Sequence, residues 1–266
     1  MKAWLLFLSS NDYYLYLTLS VYQDLLSTGT KYPVYCAITR DVNSSTKSIL
    51  VAAGIKLLNL DNIDILNKSS LDYYKKALPK LAILNLKDFD KIVYLDSDLW
   101  IKENIDELFD KPHMTAVINR SPQPIINYEL SKSVFCSGLF VWDYKVGHPL
   151  DLAKLPAHCS WHDQSVLNYF YQDWGKCPEL QLDYRYGLMN SLSDGIDLSD
   201  VKIMHFVNRN RTDWPFNRTT YEERNHRHFK KWVGHIAKNL EELKQNYNII
   251  LPKLHPENIV EYKEEL

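Results

Sequence analysis

The sequence predicts an α/β fold in which a mixed central sheet is flanked by helices, and three observations support this. Short apolar runs alternate in the first half with segments whose apolar residues recur at helical spacing, as in strands joined by crossover helices. The apolar run after Lys91 leads directly into two acidic residues, and the ligands of such sheets bind at the carboxyl ends of strands. The chain of 266 residues is 45% hydrophobic, which is enough for one large core, so we predict a single domain.

Short apolar runs bounded by polar or turn residues predict the strands. The run at 91–95 is apolar after its first residue, which predicts a central strand buried on both faces. The predicted strands are 4–8, 34–38, 55–60, 91–95, 115–118, 134–141 and 201–207.

Apolar residues at helical spacing predict the helices, and local signals set their ends. The first helix, 15–26, ends at Gly29 because glycine ends helices. The second begins at Ser44 or Ser45, since serine caps helix starts. Further helices are predicted at 71–86, restarting at Pro79, and at 164–171. A C-terminal helix follows, with one apolar face made of Phe229, Trp232, Val233, Ile236, Leu240 and Leu243.

Charge and composition exclude several classes of protein. The net charge of -2 and the pI of about 6.5 provide no basic field for nucleic acid, so we expect no nucleic-acid partner. The apolar run at 4–8 is too short for a transmembrane segment or an export signal. The four cysteines show no zinc-binding spacing, and we interpret them as reduced thiols of a cytoplasmic protein: Cys36, Cys136, Cys159 and Cys177.

Asp96 and Asp98 form the most specific local motif, two carboxylates directly after the apolar strand. At 4 to 6 Å they would repel each other by roughly 2 to 4 kcal/mol, and a cation shared with a diphosphate would remove that cost. The alternative interpretation is a turn whose acids are solvated.

His205 ends a second apolar strand, 201–207. A neutral imidazole beside two carboxylates gives a mixed nitrogen and oxygen ligand set, which favours Mn2+ over Mg2+, although Mg2+ stays an alternative. A single histidine is more often structural, so this residue alone would not predict a metal site.

Three further groups have residue types suited to a nucleotide-sugar site. Asp163 and Gln164 begin a helical run and could face a donor sugar, although an aspartate there could simply cap the helix. The segment 9–14 follows the first strand and could receive a nucleobase, but it has no glycine fingerprint. Lys80 and Arg211 could supply positive charge to phosphates.

Taken in order along the chain, these residues resemble the glycogenin-like members of glycosyltransferase family 8. The resemblance covers residues 5 to 214, and the motifs that carry it are Ser-Asn-Asp-Tyr-Tyr at 10–14, Lys80, the run from Val93 through Asp98 to Phe109, Ser137-Gly138, Asp163-Gln164 and His205-Phe206. It implies a GT-A fold and retention of the donor's anomeric configuration. We predict one catalytic domain at 1–266, with a nucleotide-binding half at 1–110, a sugar and acceptor half at 111–220 and a C-terminal helical segment at 221–266.

The resemblance also implies roles for individual residues. It implies contacts to uridine from Leu8, Ser10, Asn11 and Tyr14. It implies that Asp96, Asp98 and His205 bind Mn2+, with Asp96 also reaching the ribose. The donor's diphosphate and sugar would be contacted by Lys80, Ser97, Ser137, Asn208 and Arg211, and the catalytic residues would be Asp163 and Gln164.

Two departures from the family pattern concern the sugar end of the site. Cys136 stands where the family commonly has asparagine, which removes an amide from the expected sugar pocket. The loop after His205 is one residue longer and lacks the family's lysine, a charge that Arg211 could replace.

The function predicted is metal-dependent transfer of a hexose, expected to be glucose, from a UDP-sugar to a hydroxyl of a glycan or a protein tyrosine. The alternatives are a galactosyl- or other hexosyltransferase acting on a glycan or lipid-linked acceptor, and a nucleotide-sugar-binding protein that has lost catalysis. An aspartyl phosphotransferase is a weaker alternative, because Trp100 stands where that class has threonine or valine. Whether the chain forms a homodimer is left open by the sequence.

Overall fold

The computed structural model describes residues 1–9, 13–60, 77–118, 134–148, 150, 151, 154, 162–190, 193, 196–206 and 227–251. Within these residues the strands are β1 (Lys2–Leu8), β2 (Val34–Ile38), β3 (Lys56–Asn59), β4 (Lys91–Leu95), β5 (Leu99–Ile101), β6 (Ala116–Ile118), β7 (Phe135–Asp143), β8 (Gln181–Leu182), β9 (Leu188–Met189) and β10 (Ile203–His205). The α-helices are α1 (Tyr13–Ser27), α2 (Ser44–Ala52), α3 (Asp163–Phe170) and α4 (Arg227–Tyr247). Short 3-10 helices lie at Leu78–Asn85, Asp106–Asp110, Trp174–Lys176, Pro178–Leu180 and Tyr184–Tyr186.

The larger sheet has the order β3-β2-β1-β4-β7-β6-β8. Strands β3, β2, β1 and β4 are parallel, whereas β7 runs antiparallel to both β4 and β6. The predicted α/β fold with a mixed central sheet is therefore confirmed. Strand β4 lies between β1 and β7, and its residues Ile92, Val93 and Leu95 are fully buried, which confirms the predicted central strand.

A second sheet with the order β5-β10-β9 positions the histidine of the predicted metal set. Strand β10 runs antiparallel to β5, and the register places His205 opposite Leu99. The backbone N–H of Phe206 donates to the carbonyl of Asp98 at 2.9 Å. These contacts tie the end of β10 to the segment that follows β4.

Local signals explain several element ends, and one prediction is corrected. Gly29 and Gly54 both have positive φ, 75° and 93°, as expected for glycines that end helices. Pro79 lies in the first turn of the 3-10 helix Leu78–Asn85, where its missing N–H costs no hydrogen bond. Helix α2 is capped by Asn43 rather than by Ser44 or Ser45, because the Asn43 side chain accepts from the backbone N–H of Thr46.

Helix α4 packs its predicted apolar face against α1 and the second sheet. The ring of Trp232 stacks on Phe206, the residue after His205, with ring centroids 4.2 Å apart. The whole predicted face is buried: Phe229, Trp232, Val233, Ile236, Leu240 and Leu243. Across the part of the chain that the structure describes, every helix is too short or too polar to cross a lipid bilayer.

Candidate metal centre

Asp96, Asp98 and His205 converge at the carboxyl end of β4. Each offers one ligand atom, and these atoms all lie within 4.8 Å of one another. The Nε2 atom of His205 is 3.1 Å from Oδ1 of Asp98. Asp98 and His205 are 4% and 6% exposed, so water screens their charges poorly. The sequence expectation that these three side chains meet is confirmed.

The donor set fits a divalent cation. Metal–ligand bonds of roughly 2.1 Å place opposing ligand atoms about 4.2 Å apart, so atoms within 4.8 Å of one another can close on an ion with a small adjustment. Two carboxylates and one imidazole also match the ligand preference of Mn2+. Asp96, Asp98 and His205 would therefore hold the ion, with further positions left for a diphosphate.

Gly138 on β7 allows this convergence. A Cβ atom at position 138 would lie 2.7 Å from Cε1 of His205 and 3.2 Å from Oδ2 of Asp96. The Gly138 carbonyl also accepts from the backbone N–H of Asp96 at 2.7 Å. Any larger side chain would push apart two of the three candidate ligands.

Lys80 is buried next to the three candidate metal ligands and contacts the carboxylates of both Asp96 and Asp163. Its ammonium donates to Oδ1 of Asp96 at 3.0 Å and to the Ser137 carbonyl at 3.3 Å, and it forms an ion pair with Asp163. Burial by itself would lower the pKa of Lys80, but the carboxylates of Asp163 and Asp96 outweigh it and hold the pKa above its usual range. Lys80 is therefore a permanent buried cation. Its predicted contact to a diphosphate stays a prediction.

Asp163 and Gln164 open helix α3 and are held by the backbone and side chain of Ser137. The Ser137 hydroxyl donates to Oδ2 of Asp163 at 2.7 Å, and its backbone N–H donates to Oε1 of Gln164 at 3.1 Å. The N-cap of α3 is His162, so the alternative in which Asp163 caps the helix is wrong. With its carbonyl engaged, Gln164 has its amide nitrogen to offer a ligand.

Opposing effects act on the Asp163 carboxyl. Burial would raise its pKa, but Lys80 and His162 hold that pKa far below its usual range. Asp163 is therefore a fixed negative charge next to the metal set.

Tyr94 belongs to the site, and the sequence analysis missed it. Its hydroxyl donates to Oδ1 of Asp96 at 2.7 Å, and the Lys80 ammonium lies 4.6 Å from its ring centre. Burial, followed by the nearby Asp96, raises the pKa of Tyr94 well above its usual value, so it stays a neutral donor. Strand alternation could have found it, because residues 94 and 96 point to the same face.

Cys136 lies on the other side of the imidazole. Its sulfur is 3.6 Å from Nδ1 of His205, and its thiol is free and buried. Burial would lower the pKa of His205, but the Asp98 carboxylate and Cys136 raise it well above the usual value. The departure from the family pattern at position 136 thus contacts a candidate metal ligand, and its predicted place in a sugar pocket stays a prediction.

The predicted nucleotide end is described only in part. Leu8 is buried at the end of β1, and Tyr14 is half-buried on α1. The Ser97 hydroxyl shares a 2.9 Å hydrogen bond with Thr18, which anchors the Asp-Ser-Asp segment to α1. Contacts of Leu8, Tyr14 and Ser97 to a nucleotide stay predictions. The remaining predicted residues lie outside the described part of the chain: Ser10, Asn11, Asn208 and Arg211.

No family model matches the chain. Among curated proteins it is similar to galactinol synthase 3 of Arabidopsis thaliana, with 24% identity over 81% of this chain and 74% of that protein. It is also similar to galactinol synthase 1 of Solanum lycopersicum, with 24% identity over 80% of this chain and 74% of the relative.

Solved structures share the fold. Galactosyltransferase LgtC in complex with donor and acceptor sugar analogs superposes with a TM-score of 0.63 at 14% identity, covering 100% of both chains. The glycosyltransferase GlyE of Streptococcus pneumoniae gives a TM-score of 0.61 at 17% identity, covering 95% of this chain and 65% of that one. The chain therefore has the GT-A fold of glycosyltransferases, and its sequence relatives also support a glycosyltransferase.

Proposed function

We propose that this chain is a metal-dependent, retaining, glycogenin-like glycosyltransferase that moves a hexose from a UDP-sugar to a hydroxyl acceptor. The observation that supports it most is the convergence of Asp96, Asp98 and His205 in front of a buried lysine. The half-buried carboxylate of Asp96 and the buried carboxylate of Asp98 bring like charge to one place beside an imidazole, which favours a divalent cation there, and such a cation would bind a nucleotide diphosphate. The fold is one that glycosyltransferases use.

Two donor sugars are candidates. The family resemblance favours UDP-glucose, whereas similarity to galactinol synthases and to a galactosyltransferase structure favours galactose. Cys136, next to His205, takes the place of the asparagine that would face the sugar, so the choice depends on a pocket that differs from the family pattern.

The chain's own residues suggest how the reaction proceeds. When bound, Mn2+, or Mg2+ as the alternative, would supply positive charge to the departing diphosphate. Lys80 and the Tyr94 hydroxyl fix the Asp96 carboxylate, so this ligand is held in place before substrate arrives. Asp163 and Gln164 are both hydrogen-bonded to Ser137, and we expect the donor sugar to lie next to these three residues.

Asp163 is better suited to electrostatic stabilisation than to covalent attack. One of its oxygens accepts from the Ser137 hydroxyl and pairs with the Lys80 ammonium, and these contacts lower its basicity and its nucleophilicity. We therefore favour attack by the acceptor hydroxyl on the face from which the diphosphate leaves, with Asp163 stabilising the positive charge that develops on the sugar.

A nucleotide-sugar-binding protein without catalysis is the second candidate, because Cys136 alters the sugar end. Both candidates would bind UDP and Mn2+, and only the enzyme would release UDP from a donor.

We also propose a cytoplasmic location. The described cysteines Cys36, Cys136 and Cys177 are free, which suits a reducing compartment.

The test is release of UDP from a panel that includes UDP-glucose and UDP-galactose, with Mn2+, with Mg2+ and with EDTA. We expect release from at least one donor with Mn2+ and none with EDTA. Asp98→Asn should lower this rate about 100-fold or more, because an amide is a poor ligand for a hard cation. The matched control is Asp110→Asn, an exposed aspartate that should leave the rate unchanged. Near-normal turnover by Asp98→Asn would contradict the proposed metal site.

A further inference from the structure

A cavity of about 830 Å³ lies next to the metal centre, between β6, β8 and β9. Its volume is within the range of small-molecule sites. None of Asp96, Asp98, His205 and Lys80 lines it. Its walls are mostly apolar and include Val117, Ile118, Leu182, Leu188, Met189 and Ile196.

Two strand pairings place one end of this cavity beside the candidate reaction centre. Met189, a wall residue on β9, pairs directly with His205 on β10. Ile118, a wall residue on β6, pairs with Phe135, which precedes Cys136 on β7. Because neighbouring strands lie about 4.8 Å apart, the cavity begins roughly one strand away from a candidate metal ligand.

The rim exposes apolar surface. Tyr184 and Ile196 are 39% and 37% exposed and belong to the few large apolar side chains of the described chain that reach the surface. Exposed apolar side chains around a concave site are typical of ligand-binding surfaces.

The described residues that line the cavity offer little charge to a ligand. The carboxylate of Asp183 at the rim accepts from the backbone N–H and from Nε of Arg185, both at 3.0 Å, so it is already neutralised. Among the described lining residues no lysine or arginine is available to an anionic diphosphate, whereas an uncharged apolar group would be removed from water.

We propose that this cavity binds the apolar part of the acceptor, with the acceptor hydroxyl directed toward the metal centre. This inference rests on the proposed function and adds a substrate class to it. The acceptor is a hydroxyl compound that carries an uncharged aryl or alkyl group, rather than a free sugar or a charged headgroup. The donor would be held on the Lys80 side by charge, and the acceptor on the Met189 side by apolar contact.

Equilibrium binding to the full chain with Mn2+ and UDP tests the cavity, with methyl β-D-glucoside and phenyl β-D-glucoside as probes. Burial of the ring should make the phenyl compound bind about 10-fold tighter or better. Ile196→Asp should remove this preference, because it introduces a charge at the apolar rim. Ile250→Asp is the matched control, since Ile250 is 89% exposed and lies outside the cavity lining. Equal binding of both probes, or a preference that Ile196→Asp leaves intact, would overturn the proposal.

Comparing the rate of UDP release with and without the phenyl probe, with no other acceptor present, shows whether the probe occupies the acceptor site. A compound in the acceptor site either receives the sugar or excludes water, so saturating phenyl glucoside should change this rate. Binding that leaves the rate unchanged would overturn the assignment of the cavity to the acceptor. Failure of the proposed function has a different signature, since the wild-type chain would then release no UDP from any donor whether or not the probes bind.

Discussion

Two aspartate–histidine pairs, each with a buried aspartate, lie in different parts of this molecule, and their surroundings differ. Between α1 and α4, Oδ1 of Asp24 is 2.6 Å from Nε2 of His235 and accepts from the Asn239 amide at 2.6 Å. Its other oxygen accepts from the backbone N–H of Ile101 at 3.0 Å. This carboxylate is 1% exposed, and three hydrogen-bonding partners from α4 and β5 surround it.

The pair at the end of β4 has a different environment. Oδ1 of Asp98 is 3.1 Å from Nε2 of His205, and the carboxylate of Asp96 lies in the same cluster. The comparison shows that an aspartate–histidine contact does not itself mark a metal site. The proposed metal site differs in having a second carboxylate, Asp96, which brings like charge to the same place, and a cation would relieve that repulsion.

Asp24→Ala should have the largest effect on stability. It leaves the Ile101 N–H, the Asn239 amide and His235 without their shared acceptor inside the α1–α4 contact, which should cost roughly 3 to 5 kcal/mol of unfolding free energy. Urea unfolding of the variant and the wild type measures this loss. The rate of UDP release per folded molecule should stay within about 2-fold of the wild type. A loss of less than about 1 kcal/mol would show that this pair does not fix α4.

Exchanging each histidine for glutamine separates the two pairs directly. His205→Gln should lower metal-dependent UDP release about 100-fold, because an amide replaces an imidazole in the ligand set. His235→Gln should leave the rate nearly unchanged and lower stability by about 1 to 2 kcal/mol through the weakened contact to Asp24. Equal effects of the two variants on activity would contradict the distinction between the pairs.

His113 is a histidine in a third kind of environment, and we expect it to have a smaller effect, on the pH dependence of folding stability. Within the described part of the chain its ring nitrogens bond no carboxylate: Nδ1 accepts from the backbone N–H of Asp143, and Nε2 bonds the Tyr171 hydroxyl. Burial lowers the pKa of His113 to about 4. Between about pH 6.5 and pH 4 the unfolded chain therefore binds a proton that the folded chain does not, and stability falls as pH falls.

His113→Gln should reduce this pH dependence by up to about 1 kcal/mol per pH unit in that window. Urea unfolding of the wild type and the variant at pH 7 and at pH 5 measures the difference. An unchanged dependence would show that His113 is not responsible for it.

The parts of the fold with continuous apolar patterns could be predicted from the sequence. The bounds of β2 and β4 are those predicted, since both strands are short apolar runs in the parallel part of the mixed sheet. Strands β5, β8 and β9 were missed, because two or three residues carry no periodic signal. They form only through pairing with segments that are distant in sequence, and β5 and β9 place His205.

The candidate site also has residues that could be predicted from the sequence and residues that could not. Asp96, Asp98 and His205 could be named from their strands and from the family resemblance. The burial of Lys80 among Asp96, Asp163 and Ser137 could not, since a lysine before a strand is usually solvated and only tertiary packing brings these acceptors around it. The contact of Tyr94 to Asp96 was missed because a tyrosine in a buried strand normally indicates only a core residue.

Mn2+ binding in the presence of UDP, followed by the electron paramagnetic resonance signal of the free ion, tests the central claim most directly. The wild-type chain should bind one ion per molecule. Asp98→Asn and His205→Gln should each weaken that binding 10-fold or more, while His235→Gln leaves it unchanged. No binding by the wild type, or equal binding by all four proteins, would contradict the assignment of Asp96, Asp98 and His205 as the metal ligands.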